Sequence, residues 1–151
     1  MKYKLTTKKK TINGITLYQI QALKDFANVK KGDVGGWLET EDNLTHEGNA
    51  WVFGNARVSD DARVSGNAWV FGNAWVFDDA RVFGNARVSD DALVSGNAWV
   101  FGNAWVFGNA QVFGNAQVFG NAQVFGNAQV SDDARVSDDA RAIRDGQVSG
   151  D

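Results

Sequence analysis

The chain has 151 residues, of which 44% are hydrophobic, and it contains 17 Gly but neither Pro nor Cys. This length suits one domain, the apolar content excludes a wholly disordered chain, and the lack of Cys excludes disulfides and thiolate metal sites. No stretch approaches the roughly 18 apolar residues of a membrane span, and no apolar run of the signal-peptide kind follows the first lysines. We therefore expect a cytoplasmic protein without a membrane partner.

The N-terminal segment is basic, whereas the rest of the chain is acidic. Residues 1–31 contain eight Lys and one Asp, a net charge of +7, so residues 32–151 carry −10 of the overall −3. Such asymmetry can mark a nucleic-acid-binding arm. This segment also has the pattern of strands, however, and it contains no Arg. We therefore expect no nucleic-acid partner.

Strand signals in the basic segment predict a cap. Tyr3–Thr6 and Ile15–Ala22 have strand composition, and Asn13-Gly14 between them is a hairpin turn signal. Lys24–Val29 is predicted to form a helical turn. We expect residues 1–47 to form an N-terminal capping segment that covers an apolar end of the following structure and blocks edge pairing there.

A six-residue repeat then begins at Gly48 and runs through 17 units to Ser149, which leaves residues 150–151 as a tail. The units start with Gly-Asn or Asp-Asp, except for Arg144-Asp145, and they have Ala in third place, except for Gly146, and Val in fifth place, except for Ala142. The fourth place varies among Trp, Arg, Gln and Leu, and the sixth among Phe, Ser and Ile, so Ala142, Ile143 and Gly146 break the pattern near the C-terminal end. The third and fifth places point to the same side of a strand. Ala and Val are therefore predicted to face inward and the fourth place outward, while Gly-Asn and Asp-Asp are turn pairs.

Each unit is thus one short strand and one corner, and three units make a coil of 18 residues. The predicted fold is all-β: a single-stranded parallel β-helix with a triangular section, nearly six coils and a length of roughly 27 Å. Stacking of the coils creates the core, as in other solenoids. The interior should hold two columns at 18-residue spacing, formed by Val52, Val70, Val88 and Val106 and by Ala50, Ala68, Ala86 and Ala104.

Assigning the units to faces by threes concentrates outward aromatic side chains on one face. Arg87 interrupts the Trp column of that face, where we expect it to stack between Trp69 and Trp105. Exposure of these side chains would exceed the ~300–600 Å² apolar patch usual for a monomer. The candidate oligomer or ligand surface consists of Trp51, Phe53, Trp69, Phe71, Arg87, Trp105, Phe107 and Phe125.

Paired carboxylates recur at some corners. The 18-residue coil places Asp78-Asp79 over Asp60-Asp61, and four carboxylates at one corner suggest a divalent cation. The simpler interpretation, which we favour, is a turn pair relieved by Arg63 and Arg81 two residues onward. We predict no metal-binding residue and no cofactor.

The Ala-x-Val pattern resembles the left-handed β-helix of the hexapeptide-repeat superfamily, known mainly from acyltransferases, and left-handedness is implied only by that resemblance. The segment before the repeats resembles the N-terminal module of YdcK-like β-solenoids, which are common in bacterial and phage genomes. The residues that carry this second resemblance are Asp25-Phe26, Val29-Lys30, Gly32, Gly35-Gly36-Trp37, Asp42-Asn43 and Trp51.

The superfamily resemblance raises the possibility of an acyltransferase, and the residues argue against it. Those enzymes, as the resemblance implies, use a His general base and coenzyme A clefts built with loops that leave the coils. The single His is His46, beside Glu47, and we interpret it as a solvated surface residue. We therefore predict no catalytic residue.

The leading hypothesis is a non-enzymatic structural or interaction protein that forms a homo-oligomer, a dimer or trimer of closed symmetry, through its aromatic ladders. The alternatives are a carbohydrate- or protein-binding module that uses the same ladders, and a degenerate relative of hexapeptide acyltransferases.

Overall fold

The computed structural model describes residues 1–142 and the backbone of 147–149. Two of the residues that break the repeat, Ile143 and Gly146, and the tail at 150–151 lie outside the described residues. The described chain is an all-β parallel solenoid of about six coils that follows an antiparallel hairpin. None of its helical residues forms a segment long and apolar enough to cross a membrane.

The hairpin consists of β1 (Tyr3–Ile12) and β2 (Ile15–Ala22), joined at Asn13-Gly14, where both residues have positive φ. The predicted turn is confirmed, and the first strand is longer than expected. β2 pairs antiparallel with β3 (Val34–Leu38), and β3 pairs in parallel with the solenoid. A short 3-10 helix, Glu41–Asn43, follows.

The predicted helical turn at Lys24–Val29 is wrong. Phe26 and Val29 instead form an isolated antiparallel bridge, with both N–H···O bonds in place at 2.9 and 2.7 Å. Val29 is buried, which fixes this short loop against the core. Local propensity is overridden here by that tertiary contact.

The repeats form one short strand each, and the strands stack in three parallel sheets that we call faces. The first face contains β4 (Trp51–Val52), β7 (Trp69–Val70), β10 (Arg87–Val88), β13 (Trp105–Val106), β16 (Gln123–Val124) and β19 (Arg141–Ala142). The second face contains β3, β5 (Arg57–Val58), β8 (Trp75–Val76), β11 (Leu93–Val94), β14 (Gln111–Val112), β17 (Gln129–Ser131) and β20 (Gln147–Ser149). The third face contains β6 (Arg63–Val64), β9 (Arg81–Val82), β12 (Trp99–Val100), β15 (Gln117–Val118) and β18 (Arg135–Val136).

The interior is made of Ala and Val, as predicted. The columns of Val52, Val70, Val88 and Val106 and of Ala50, Ala68, Ala86 and Ala104 are all at most 1% exposed. Each of the described repeat strands pairs in register with a strand 18 residues away, for example Arg87 with Trp69 and with Trp105. The predicted coil length is therefore confirmed.

The corners are closed by residues in the left-handed region. Asp60, at φ 57°, takes the same first place in its unit as Gly84, at φ 68°. The Asp60 carboxylate accepts the backbone N–H of Asp78 at 3.1 Å, one coil further on. The turn-pair interpretation is thus confirmed. The expected relief by Arg63 and Arg81 is not observed, because no ion pair joins either guanidinium to a carboxylate among the described residues.

Before the first repeat, the cap supplies the contacts of a missing coil. In the regular coils the third-place carbonyl accepts a bond from the preceding coil, as Ala68 does from the Trp51 N–H at 3.1 Å. On the first face, the Lys2 ammonium donates instead to the Ala50 carbonyl at 2.7 Å and more weakly to the Gly48 carbonyl at 3.4 Å.

The third face is closed in the same way by a side-chain amide. The Asn43 Nδ2 group donates to the carbonyls of Ala62, at 2.8 Å, and Asp60, at 3.1 Å. These carbonyls occupy the same places in their unit as Ala50 and Gly48 do in theirs. On the second face β3 itself provides the strand. The parallel stack therefore begins with β3, ahead of the regular repeats.

Glycine permits the close approach of β3 to the first coil. A Cβ atom on Gly35 would lie 2.7 Å from Trp51 Cζ2, and one on Gly36 would lie 2.6 Å from Val52 Cγ1. Neither contact is sterically possible without movement of the core. The Gly35-Gly36 pair thus lets the cap seal the end of the solenoid.

Candidate functional site

The 18-residue register assembles the predicted aromatic surface on the first face. Its fourth-place column reads Trp51, Trp69, Arg87, Trp105, Gln123 and Arg141 from the cap onward, and Phe53, Phe71, Ser89, Phe107 and Phe125 occupy the sixth places beside it. All the candidate residues are therefore on one face, but they differ in exposure.

Trp51 does not belong to an exposed surface, so its assignment to one is wrong. It is 1% exposed, and its ring contacts Phe26 edge-on at 5.2 Å between centroids and Tyr3 at 6.1 Å. The reason is the cap, which folds over the first coil and uses Trp51 as its largest apolar contact. The repeat pattern alone treats this Trp like the others.

The upper aromatic cluster, which is the one nearer the cap, consists of Phe53, Trp69 and Phe71. Phe53 packs edge-on against Trp69, with centroids 5.2 Å apart, and against Phe71 at 6.3 Å. These three rings and Arg87 line a shallow, mainly apolar depression of about 310 Å³. The rings are half-buried, so each presents part of its surface to solvent.

Arg87 stacks on one Trp and not on two. Its guanidinium carbon lies 5.3 Å from the centre of the Trp69 ring. Trp105 is held differently, because its indole N–H donates to the Ser89 hydroxyl at 2.9 Å. The expectation that Arg87 would stack between both rings is therefore confirmed for Trp69 only.

The lower aromatic cluster consists of Trp105, Phe107 and Phe125. The Trp105 and Phe107 centroids are 4.6 Å apart, and Phe107 and Phe125 are stacked at 4.8 Å with ring planes 5° apart. Each of these rings is half-buried. Mutual packing along the rod thus removes much of the apolar area that the sequence assigned to solvent.

Sequence reasoning missed the serine contacts that orient two Trp side chains. The Trp75 indole N–H donates to the Ser59 hydroxyl at 2.8 Å, as Trp105 does to Ser89, and both serines are buried. In each case the Ser precedes the Trp by 16 residues. A sixth-place Ser followed 16 residues later by Trp is the signal that would have found them.

His46 is half-buried and packed into the cap, which corrects its sequence-based assignment as a solvated surface residue. Its ring stacks on Tyr3 with centroids 4.2 Å apart, and its Nδ1 accepts the Lys2 backbone N–H at 3.1 Å. Its Nε2 lies 3.6 Å from a Glu41 carboxylate oxygen, so its acidic neighbour is Glu41 and not Glu47.

Two groups of the cap have perturbed ionisation. Burial lowers the pKa of the Lys2 ammonium from 10.5 to about 8, with the positive charge of Lys24 acting in the same direction and Glu47 opposing it. Burial also raises the pKa of the Tyr3 hydroxyl, with smaller contributions from Glu41 and Asp42. That hydroxyl lies within hydrogen-bonding distance of the Leu44 and Glu41 carbonyls, at 2.6 and 2.9 Å.

Within the described part of the chain, no three His, Asp or Glu side chains are arranged to hold a metal ion. The carboxylates of the corners are spaced along the rod, one coil apart, and several are bonded to the backbone of the next coil. Asp78 and Asp90, for example, accept the N–H groups of Gly96 and Gly108, both at 3.0 Å.

These features define a tandem-repeat β-solenoid with one end capped and aromatic clusters along one face. Comparison with known families identifies the repeat: the YdcK Beta solenoid repeat matches six segments of the chain, residues 56–72, 62–78, 80–96, 86–102, 116–131 and 128–144. The chain is therefore a β-solenoid of the YdcK repeat family, and its resemblance to YdcK-like β-solenoids is confirmed for the repeats.

A curated relative shares part of this region. The chain is 42% identical over 43 residues to a protein of Escherichia coli (strain K12) named "Uncharacterized acetyltransferase YdcK". The alignment covers 28% of this chain and 13% of that protein.

Proposed function

We propose that the protein is a non-enzymatic structural or interaction solenoid that self-associates through its first face, forming a closed dimer or trimer. The observation that carries this proposal is the depression lined by Phe53, Trp69, Phe71 and Arg87. It is mainly apolar, lies in the first three coils next to the cap, and can receive an apolar side chain of a second copy.

The geometry of the face supports a self-complementary contact. Two rods related by a two-fold axis use the same surface patch on both copies. The upper cluster of one copy therefore meets either the upper or the lower cluster of the other, and the contact is repeated reciprocally. Trp, Phe and Arg are the residue types enriched in interface cores. Because neighbouring rings already shield one another, the association should be weaker than full exposure would predict, with dissociation in the micromolar range.

The non-enzymatic part of the proposal is supported by the role of His46. The single His of the chain is stacked on Tyr3 and bonded to Lys2, so it stabilises the cap. The units between Gly48 and Ala142 keep their six-residue length, and each strand is followed directly by its corner. We further propose a left-handed coil, as the hexapeptide-repeat resemblance implies, and a cytoplasmic location.

A second candidate follows from the comparison with the Escherichia coli protein, whose name describes an acetyltransferase. A degenerate relative of such enzymes would retain affinity for acetyl-coenzyme A. Calorimetric titration with acetyl-coenzyme A distinguishes the candidates: saturable binding would favour this second candidate and contradict the non-enzymatic proposal.

Light scattering after size exclusion tests the self-association directly. We expect the protein to elute with a mass that is a multiple of 16.4 kDa at tens of micromolar. The double substitution Trp69→Gln with Trp105→Gln should give folded monomer, because the repeat already carries Gln in fourth place at Gln123. Trp51 is left unchanged because it is buried under the cap.

A matched control separates the first face from aromatic content in general. The double substitution Trp75→Gln with Trp99→Gln removes the same number of Trp residues from the other two faces and should leave the mass unchanged. A wild-type protein that stays monomeric across micromolar concentrations contradicts self-association and favours a binding module for a carbohydrate or another protein. Loss of association in both double variants contradicts the assignment to the first face.

A further inference from the structure

A polar groove on the third face is separate from the surface proposed for self-association. It has a volume of about 770 Å³, within the range of small-molecule sites. The cap closes its upper end through Glu39, Thr40 and Asp42, and Arg63, Arg81 and Trp99 form its floor in consecutive coils. The corner residues Asp61, Asp79 and Asn97 form its side.

Trp99 presents an open ring in this groove. It is 38% exposed, and no other aromatic side chain of the described residues is as exposed. Phe83 and Phe101 pack edge-on against it, at 5.6 and 6.1 Å between centroids, and so hold its orientation. Its indole N–H has no partner in the described structure, unlike those of Trp75 and Trp105.

The polar side chains beside Trp99 are also unused. Within the described residues, no hydrogen bond or ion pair engages the side chains of Asp61, Asp79, Arg63 or Arg81. Asn97 donates through its amide nitrogen to Asn115 at 3.3 Å, which leaves its oxygen free to accept. A row of free acceptors therefore runs along the corner, next to a row of free donors and the Trp ring on the face.

The charge of the groove selects the kind of ligand. Its lining contains five carboxylates, those of Glu39, Asp42, Asp60, Asp61 and Asp79, and two guanidinium groups. The excess of negative charge disfavours an anionic ligand. The free guanidinium groups of Arg63 and Arg81 on the floor are donors only, so the ligand must also supply acceptors. A neutral ligand with many hydroxyl groups satisfies both rows, because each hydroxyl both donates and accepts.

We propose that this groove binds a neutral oligosaccharide. The apolar C–H face of one pyranose ring stacks on Trp99, while Asp79, Arg81 and Asn97 bond the hydroxyls at its edge. Arg63 and Asp61, one coil away from Arg81 and Asp79, contact the next sugar unit along the rod. This proposal does not depend on self-association, because none of these residues lies on the first face.

Isothermal titration calorimetry with cellohexaose, maltohexaose and chitohexaose tests the proposal, with hexagalacturonate as the anionic comparison. We expect at least one neutral hexasaccharide to bind saturably with one site per chain. The affinity should change little between about 50 mM and about 500 mM salt, since no net charge is neutralised. No saturable binding to any of the three neutral sugars overturns the proposal. A preference for hexagalacturonate that weakens with salt also overturns it.

Variants locate the binding in the groove. Trp99→Gln should weaken binding by at least about tenfold, and the fold should tolerate it because Gln117 occupies the next position of the same column. Asp79→Asn should weaken binding severalfold, because it removes a charged acceptor for the sugar hydroxyls. The fold should tolerate this change, because Asn97 occupies the same corner place one coil further on. Trp75→Gln, on the second face, is the control and should leave the affinity unchanged. Equal loss in Trp75→Gln and Trp99→Gln would contradict the assignment of the site.

Discussion

The capped end of the third face is closed by a single buried amide, that of Asn43, and its removal should destabilise the protein strongly. Asn43 is fully buried. Its Oδ1 accepts the N–H groups of Glu39 and Thr40 at 3.1 and 2.9 Å, and its Nδ2 donates to the Asp60 and Ala62 carbonyls. One side chain therefore satisfies four backbone groups.

The magnitude follows from the burial of those groups. The bond to Ala62 is buried, and an unpaired buried carbonyl costs about 1–3 kcal/mol. The other three bonds are part-buried, so water can partly replace them at about 0.5 kcal/mol each. We expect Asn43→Ala to lower the free energy of unfolding by about 3 kcal/mol, which is a shift of about 1.5 M in the urea midpoint.

The matched control is Asn85→Ala. Asn85 is exposed, and its amide donates to the next Asn of the corner ladder, Asn103, at 3.3 Å. Its removal should cost less than about 0.5 kcal/mol. Urea unfolding followed by circular dichroism compares the two variants, and hydrogen exchange of the Thr45 N–H reports on the cap itself. If Asn43→Ala and Asn85→Ala unfold at the same urea concentration, the cap does not depend on Asn43 as described.

The remaining predictions concern the interior, the corners and the pH dependence. Ala86→Leu should overpack the narrow interior and cost roughly 1–3 kcal/mol or more, and a neutral effect in thermal unfolding would refute the inward placement of Ala86. Gly84→Ala should lower the free energy of unfolding by at least about 1 kcal/mol more than Gly54→Ala does. Both residues have positive φ, but a Cβ on Gly84 would lie 2.9 Å from the Gly102 nitrogen, whereas one on Gly54 would lie 3.9 Å from the Gly72 oxygen. Because burial lowers the pKa of Lys2 from 10.5 to about 8, the unfolded chain binds its proton more tightly, so stability should rise with pH from about 8 to 10 relative to Lys2→Met. A stability that falls between pH 8 and 10 relative to Lys2→Met would contradict the burial of Lys2. Above pH 10 the raised pKa of Tyr3 should make the stability fall as the pH rises, so the comparison is confined to lower pH.

The repeats were predictable from the sequence because every unit states the same local rule. Ala and Val two places apart define the inward side, and Gly-Asn or Asp-Asp defines the corner. Because the same pattern recurs along the repeats, a unit that is ambiguous by itself can be interpreted from its neighbours. Register followed directly, as the pairing of Arg87 with Trp69 and Trp105 shows. The hairpin turn at Asn13-Gly14 was predictable for a similar local reason.

The cap was not predictable in the same way, because its contacts connect distant residues that do not repeat. Lys2 reaches the Ala50 carbonyl across 48 positions, and Asn43 reaches Ala62 across 19. Trp51 is likewise buried by Phe26 and Tyr3, which lie far from it in the sequence. At the level of the site, the pattern identified which aromatics share a face but not that neighbouring rings shield each other, since that depends on side-chain packing along the rod.

The central claim is that the 18-residue coil places Trp69 and Trp105 on one face and that this face self-associates. A pair of deletions tests this claim most directly. Deletion of residues 84–101 removes one whole coil and leaves Trp105 on the same face as Trp69. Deletion of residues 84–89 removes one unit, preserves every Ala and Val place, and moves Trp105 to the third face. Both variants should give strand-rich circular dichroism and cooperative unfolding, because the interior accepts either length.

Their masses by light scattering should then differ. We predict that the whole-coil deletion associates like the wild type, whereas the one-unit deletion is monomeric at the same concentration. Association of the one-unit deletion at wild-type strength, or failure of the whole-coil deletion to fold, would contradict the account.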